Sequence, residues 1–207
     1  ASGESQWITG AAARHEVHQW RARSCAILTG IGTLLHDDPA LTARLDNYNG
    51  LQPLRVIADT EGRTPPAAQT LQLPGKVVLA CGPDAAAYLQ QHEVCGSGLQ
   101  ADCTVMPVPL LNGKLNLKTL LQQLASDLQC NEVWVEAGPR LVGALLQAGL
   151  VDELVTYIAP ALLGERARPL AALPGLDRLA DKVSLHFVDV AMVGEDCRIR
   201  SLVLPRA

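Results

Sequence analysis

One stretch constrains the fold more than any other: Glu132-Val133-Trp134-Val135-Glu136-Ala137-Gly138-Pro139-Arg140, continued by Leu141-Val142-Gly143-Ala144-Leu145-Leu146. Val133, Trp134 and Val135 are strand formers. Gly138 takes backbone angles that other residues avoid, and Pro139 suits the first helical position, where a missing N–H costs nothing. The sequence therefore predicts a short buried strand, a turn at Ala137-Gly138 and a helix that stops near Gly149. Such a junction turns free N–H groups and the positive end of the helix dipole toward whatever lies above the sheet, which suits a phosphate. It is equally ordinary turn chemistry. Gly143, one turn in, lets either a ligand or a neighbouring backbone approach closely. Glu136 ends the strand, where open α/β sheets keep their ligands; it is either a site carboxylate or an exposed surface acid.

With 207 residues the chain has the length of one large domain or at most two, and can bury a sizeable core. Its 48% hydrophobic and 18% charged residues describe a soluble globular protein. Aromatic residues are scarce, so that core must rest on Leu, Val, Ile and Ala. The net charge of −4 argues against a general nucleic-acid or membrane-surface partner. The six cysteines, at 25, 81, 95, 103, 130 and 197, show no CxxC and no Cys/His metal spacing, so no metal site is expected. Cys25 and Cys130 read as small core residues, and a reduced, cytoplasmic protein is the economical expectation. No apolar run is long enough to cross a bilayer, and no signal peptide is recognisable. The chain opens on Ala1, which suggests a piece of something longer.

Taken in order, a helix over about residues 10–23 follows Thr9 as its N-cap. Arg21 on it belongs to the exposed face or points into a site. Cys25-Ala26-Ile27-Leu28-Thr29 is an apolar strand. Gly30-Ile31-Gly32-Thr33 then makes a second strand–glycine–helix junction, leading to His36-Asp37-Asp38-Pro39. It is not the dinucleotide fingerprint, because the third glycine and the later acidic residue are missing. Asp37 and Asp38 are turn formers and caps or a functional carboxylate; His36 reads as a surface or capping residue, and Arg44 as a candidate anion contact. Leu54-Arg55-Val56-Ile57-Ala58 is the next strand. Thr60 and Arg63 in the loop at its end either cradle a ribose 2′-phosphate or make a plain turn. Further strands are expected at 76–80 and 103–108, the latter at an edge because of Pro107, with helices at 83–91 and 117–128. Beyond Gly149 a strand at 152–159 and an antiparallel hairpin, 183–190 with 198–204, change the pattern. The expectation is one α/β domain whose mostly parallel sheet carries antiparallel strands at one edge.

Together and in this order, Gly3-Glu4-Ser5-Gln6-Trp7-Ile8-Thr9, Arg21-Ala22-Arg23-Ser24, Thr33 with Asp37-Asp38-Pro39-Ala40-Leu41-Thr42-Ala43-Arg44, Trp134-Val135-Glu136-Ala137-Gly138-Pro139, and Leu150-Val151-Asp152-Glu153-Leu154 with Ala159-Pro160 closely resemble the C-terminal reductase domain of the bifunctional riboflavin biosynthesis deaminase/reductase family. The resemblance covers nearly the whole chain. It implies a dihydrofolate-reductase-like fold and NADPH-dependent reduction of 5-amino-6-(5-phosphoribosylamino)uracil to the ribitylamino phosphate. It also implies that Trp7, Thr33, Asp37, Thr60 and the turn and helix start Gly138, Pro139, Arg140, Leu141, Val142, Gly143 and Ala144 hold NADPH, and that Ser5, Arg21, Leu41, Arg44 and Glu136 face the substrate. Arg63, outside the family pattern, is added here from its place beside Thr60. Dimerisation through the terminal antiparallel strands is a further family expectation.

Two departures matter. The family pattern begins with a strand reading Lys-x-Ala-x-Ser-Leu-Asp-Gly before the position of Ala1, and this chain lacks it. The His-x-Glu and Pro-Cys-x-x-Cys signature of the deaminase half is absent too, so fusion to a separate deaminase domain is expected in the parent chain. Asp37 is the expected proton donor or relay and Glu136 the residue that orients the pyrimidine. A dihydrofolate or other pterin reductase of the same fold is the rival enzyme, although one Phe and three Tyr give little aromatic lining for a folate. A nucleotide-binding module without turnover is the rival of another kind.

Overall fold

The computed structural model describes residues 7–92, 95–96, 98–165 and 167–205. Five parallel strands form the central sheet: β1 (Ala26–Gly30), β2 (Leu54–Ala58), β3 (Gly75–Cys81), β4 (Ala101–Pro107) and β7 (Val133–Val135), in the order β4-β3-β2-β1-β7. Along β3 the side chains alternate between two cores. Val78 and Ala80 join Leu120 and Leu124 of α4 (Leu117–Leu128) and Leu145 of α5 (Pro139–Gln147) on one face. Val77, Leu79 and Cys81 join Leu34 of α2 (Ile31–Asp37) and Ala86 and Leu89 of α3 (Pro83–Gln91) on the other. This period of two under a two-sided helical cover explains why β1 to β3 read as continuous apolar runs. The Pro107 strand lies at the sheet edge, as its proline requires.

Local signals end the helices where expected. Asn116 caps α4 by accepting from the Thr119 amide, and Gln129 closes it at φ 56°. Pro83 and Pro139 open α3 and α5. The first helix, α1 (Ala11–Arg23), takes Gly10 and not Thr9 as its N-cap. Between β4 and α4, a small hairpin pairs β5 (Leu110–Leu111) with β6 (Lys114–Leu115) through Asn112 and Gly113, both at positive φ.

One expectation about the sheet changes. The terminal strands β8 (Glu153–Ile158), β9 (Leu185–Val193) and β10 (Asp196–Val203) do not extend the parallel sheet; they form their own antiparallel sheet in the order β8-β10-β9. Among the described residues β7 pairs only with β1 and β8 only with β10, so each keeps one open side. Helix α1 joins the two sheets through Trp20. Its ring stacks on Trp134 of β7 at 5.3 Å, and its Nε1 donates to the Tyr157 hydroxyl of β8 at 2.9 Å.

The cysteines depart from expectation twice. Cys130 is buried, but Cys25 is exposed because it precedes β1 at the rim of the sheet, where its amide donates to the Glu132 carbonyl. Cys95 and Cys103 form a disulfide, where a fully reduced chain was expected; the loop before β4 returns Cys95 to the outer strand. No helix of the described residues is long and apolar enough to cross a membrane.

Candidate active site

Because the five central strands run the same way, their C-terminal ends share one edge. There a cleft of about 700 Å³ opens, bounded by Gly30 at the end of β1, Ala58 at the end of β2 and Gly138 after β7. Of the residues expected to hold a cofactor, Thr33, Thr60, Arg63, Gly138, Pro139, Arg140, Leu141 and Ala144 all line it. Helix α5 starts at its wall. The Gly138 amide donates to Thr33 Oγ1 at 3.0 Å, tying the two glycine-bearing junctions together. No side chain caps α5, so the orphan N–H groups that follow Pro139 keep their capacity to donate.

Val142 and Gly143 do not line this cleft. A Cβ on Gly143 would lie 1.8 Å from the Ala172 carbonyl oxygen, so this glycine admits a neighbouring backbone and not a ligand. The Ala172 amide in turn donates to the Pro139 carbonyl at 2.8 Å, laying the loop after β8 across the start of α5. Trp7 is exposed, with the Arg14 guanidinium over its ring at 4.5 Å. Asp37 ends α2 outside the lining, half-exposed, its Oδ1 2.6 Å from His36 Nδ1. Ser5 falls outside the described residues.

Beside the cleft, at the end of β7, Glu136 and Arg21 meet. Arg21 Nε donates to Oε1 at 2.6 Å and Nη2 to Oε2 at 2.5 Å, while Nη1 donates to the Thr42 carbonyl at 3.0 Å. Trp134 Nε1 adds a third donor to Glu136 at 2.7 Å. The two residues expected to face a substrate separately are therefore bonded to one another. The Arg44 amide donates to His18 Nδ1 at 3.2 Å, and Arg44 lines a second depression of about 510 Å³ with Thr42 and Gln52. Partial burial, and then Arg21 and Arg44, lower the His18 pKa below its usual value against the raising pull of Glu136. Leu41 holds φ 51° with its side chain buried, so what it offers outward is backbone. Asp38, at φ 40°, accepts from the Gln69 amide at 2.8 Å and is a structural cap.

The loop carrying Thr60 and Arg63 is shaped from beneath by Asp59. This buried carboxylate accepts from the Thr64 amide and hydroxyl at 2.7 and 2.8 Å. Several site residues escaped the sequence reading. Lys114 and Arg168 line the cleft; the Asn112-Gly113 pair was the available signal for the hairpin that carries Lys114, whereas Arg168 and His18 carry no local signal. Among the described residues no group of three or more His, Cys, Asp or Glu gathers to hold a metal.

Fold and site define an α/β protein of the dihydrofolate-reductase-like class, with its cleft at the carboxyl edge of a parallel sheet. The comparisons with known proteins narrow this. The family described as RibD C-terminal domain matches residues 1–199. The chain belongs to that family. It is 44% identical over 207 residues to the riboflavin biosynthesis protein RibD of Escherichia coli K12, with 95% of this chain and 53% of that protein covered. It is 31% identical over 216 residues to the 5-amino-6-(5-phosphoribosylamino)uracil reductase of Buchnera aphidicola from Acyrthosiphon pisum, with 96% of each covered. Among solved structures, Acinetobacter baumannii RibD superposes with a TM-score of 0.83 at 36% identity, covering 99% of this chain and 54% of that one. The chain thus spans about half the length of the two RibD proteins.

Proposed function

We propose that this chain reduces 5-amino-6-(5-phosphoribosylamino)uracil to 5-amino-6-(5-phosphoribitylamino)uracil with NADPH, as the reductase part of a cytoplasmic protein that also carries a deaminase domain. The observation that carries this reading is the gathering of eight of the twelve expected cofactor residues in one cleft at the carboxyl edge of the sheet. Its volume suits a dinucleotide. The uncapped α5 N-terminus and the cations Arg63, Lys114, Arg140 and Arg168, set against the single acid Glu61, suit a ligand with several phosphates.

In this reading the start of α5 holds the pyrophosphate, and Thr60 with Arg63 holds the 2′-phosphate. Bound NADPH supplies a hydride. Glu136 is held by three donors and retains acceptor capacity for a pyrimidine N–H. The unused N–H groups of Arg21, with Arg44, receive the 5-phosphate. As the sugar opens to an imine and its former C1′ carbon is reduced, the ring oxygen takes a proton that Asp37, paired with His36, donates or relays.

The open sides of β7 and β8 support insertion of the family's first strand between the two sheets. The exposed Phe187, Val190 and Met192 on β9 support dimerisation through the antiparallel sheet. The test is loss of reduced-nicotinamide absorbance on adding fresh substrate, for this chain and for one extended by that strand. Turnover in either chain supports the reductase reading, and turnover only in the extended chain makes the strand and its lysine part of the site. Silence in both overturns the reading.

A further inference from the structure

The cleft holds more positive charge than a pyrophosphate uses, and two separate groups of elements carry that charge. Arg140 lies in the first turn of α5, and Arg168 belongs to the loop that the Ala172–Pro139 hydrogen bond lays across the same helix start. The second group is the loop after β2, with Arg63, and the β5–β6 hairpin, with Lys114.

Lys114 is exposed, but the hairpin that carries it is held in place. Its strand neighbour Leu115 is anchored in the core, and both residues line the cleft. The hairpin is fixed at its base by the Val108 amide on the Cys81 carbonyl and by the Asn116 amide on the Pro109 carbonyl. It is also pressed against the turn that bears Thr60. A Cβ on Gly82 would meet both the Thr60 carbonyl at 3.0 Å and the Leu110 side chain at 3.2 Å, so hairpin and turn both pack closely against this glycine. The Gly82 amide closes this contact by donating to the Thr60 carbonyl at 3.1 Å. Glu61, the one acid among the described lining residues, is engaged by Arg63 at 3.3 Å, which leaves Lys114 facing a cleft with no other acid among those residues.

Resting on the reading of the cleft as a nicotinamide dinucleotide site, we infer that Lys114 is a specificity-determining residue: its ammonium group reads the additional phosphate on the adenosine ribose, opposite Arg63, while Arg168 serves the pyrophosphate common to both dinucleotides. Two elements far apart in sequence thereby make one anion seat, and selection for the phosphorylated cofactor depends on the hairpin as well as on the loop after β2.

The test is equilibrium binding, with no turnover required. NADPH and NADH are titrated against the chain, and 2′,5′-ADP and 5′-AMP are used as fragments. Lys114→Met is expected to weaken NADPH and 2′,5′-ADP by about tenfold, the order of one charge-assisted hydrogen bond, and to leave NADH and 5′-AMP unchanged. Lys114→Arg is expected to restore most of the preference. Arg168→Ala is expected to weaken NADPH and NADH alike. Unchanged NADPH affinity in Lys114→Met, or equal loss for both dinucleotides, overturns the inference while leaving the cleft assignment standing. A wild-type chain that binds neither NADPH nor 2′,5′-ADP overturns both.

Discussion

Arg21, in the last turn of α1, grips Glu136 at the end of β7 with two parallel N–H bonds of 2.6 and 2.5 Å, across 115 residues of sequence. The pair is only partly exposed, at 12% for the arginine side chain and 24% for the carboxylate. Solvent therefore screens it less than a surface pair. Its fork geometry holds both groups in one orientation, and Trp134 Nε1 fixes the carboxylate from a third direction.

Glu136→Gln keeps the shape and removes the charge, leaving Arg21 without its counter-ion and Trp134 with a weaker acceptor. If Glu136 faces the substrate, kcat/KM is expected to fall by about a hundredfold, which equals about 3 kcal/mol and is the upper range for a charged hydrogen bond. NADPH affinity is expected to stay within about twofold, because Glu136 does not line the cleft at the carboxyl edge of the sheet. Steady-state kinetics beside a cofactor titration check this. A loss of cofactor binding as large as the loss of turnover would move Glu136 to a purely structural role.

His18 gives a pH dependence whose sign is fixed by its surroundings. Burial, Arg21 on its own helix and Arg44 on the facing loop lower its pKa, outweighing Glu136 and the Thr42 backbone. With the folded value below the unfolded one of 6.5, the unfolded chain binds the extra proton first. The stability tied to neutral His18 is therefore complete above pH 6.5 and lost as the pH falls through the folded value. Denaturant midpoints of wild type and His18→Gln across the acid side of neutrality check this. The wild type is expected to lose more stability on acidification than the variant, and parallel curves would remove His18 as the source.

Arg55 is 1% exposed on β2, and its guanidinium donates to the carbonyls of Thr70 at 2.6 Å and of Leu73 and Pro74 at 3.0 Å. It is a brace for the segment that leads back to β3, and burial pushes its pKa down. Arg55→Met fills similar space and strands these carbonyls, so a loss of about 3 kcal/mol is expected, read as a lower denaturant midpoint at unchanged slope. A midpoint equal to wild type would mean that water takes over the three carbonyls.

These residues also show how far the sequence could be read. The β7–α5 junction was legible because Gly138 and Pro139 act through local backbone geometry, which one chain segment decides alone. The parallel strands were legible from their apolar runs and the terminal hairpin from its alternation. The separation of the antiparallel sheet was not, because strand neighbours are a long-range choice with no local mark. The burial of Arg55 was hidden for the same reason, since its partners are carbonyls, which every residue has. Within the site, Thr60 and Arg63 could be placed from their loop, whereas the pairing of Arg21 with Glu136, the contribution of Lys114 and the position of Asp37 outside the cleft depend on elements meeting in space.

Gly143 is where close packing and the cleft come together, and it yields the sharpest stability prediction. Its Cα faces the Ala172 backbone so closely that a single added methyl would sit 1.8 Å from the carbonyl oxygen and 2.7 Å from the carbonyl carbon. Neither is the movable end of a side chain. In Gly143→Ala the loop must lift from α5, and the 2.8 Å bond from Ala172 to the Pro139 carbonyl is lost with it. Overpacking of this kind costs about 1–3 kcal/mol, partly offset by the better helix propensity of alanine, worth about 1 kcal/mol. A net loss of up to about 2 kcal/mol in denaturant unfolding is expected, along with weaker binding of NADPH and NADH alike, because Arg168 is carried on the displaced loop. Gly149→Ala, at φ 65° past the end of the same helix, is the companion variant. There the strain is conformational, nothing lies within 4 Å of the added carbon, and the loop stays in place. Stability is expected to fall at Gly149 without a change in dinucleotide affinity, and a like affinity loss in both variants would trace the effect to global destabilisation and not to the loop.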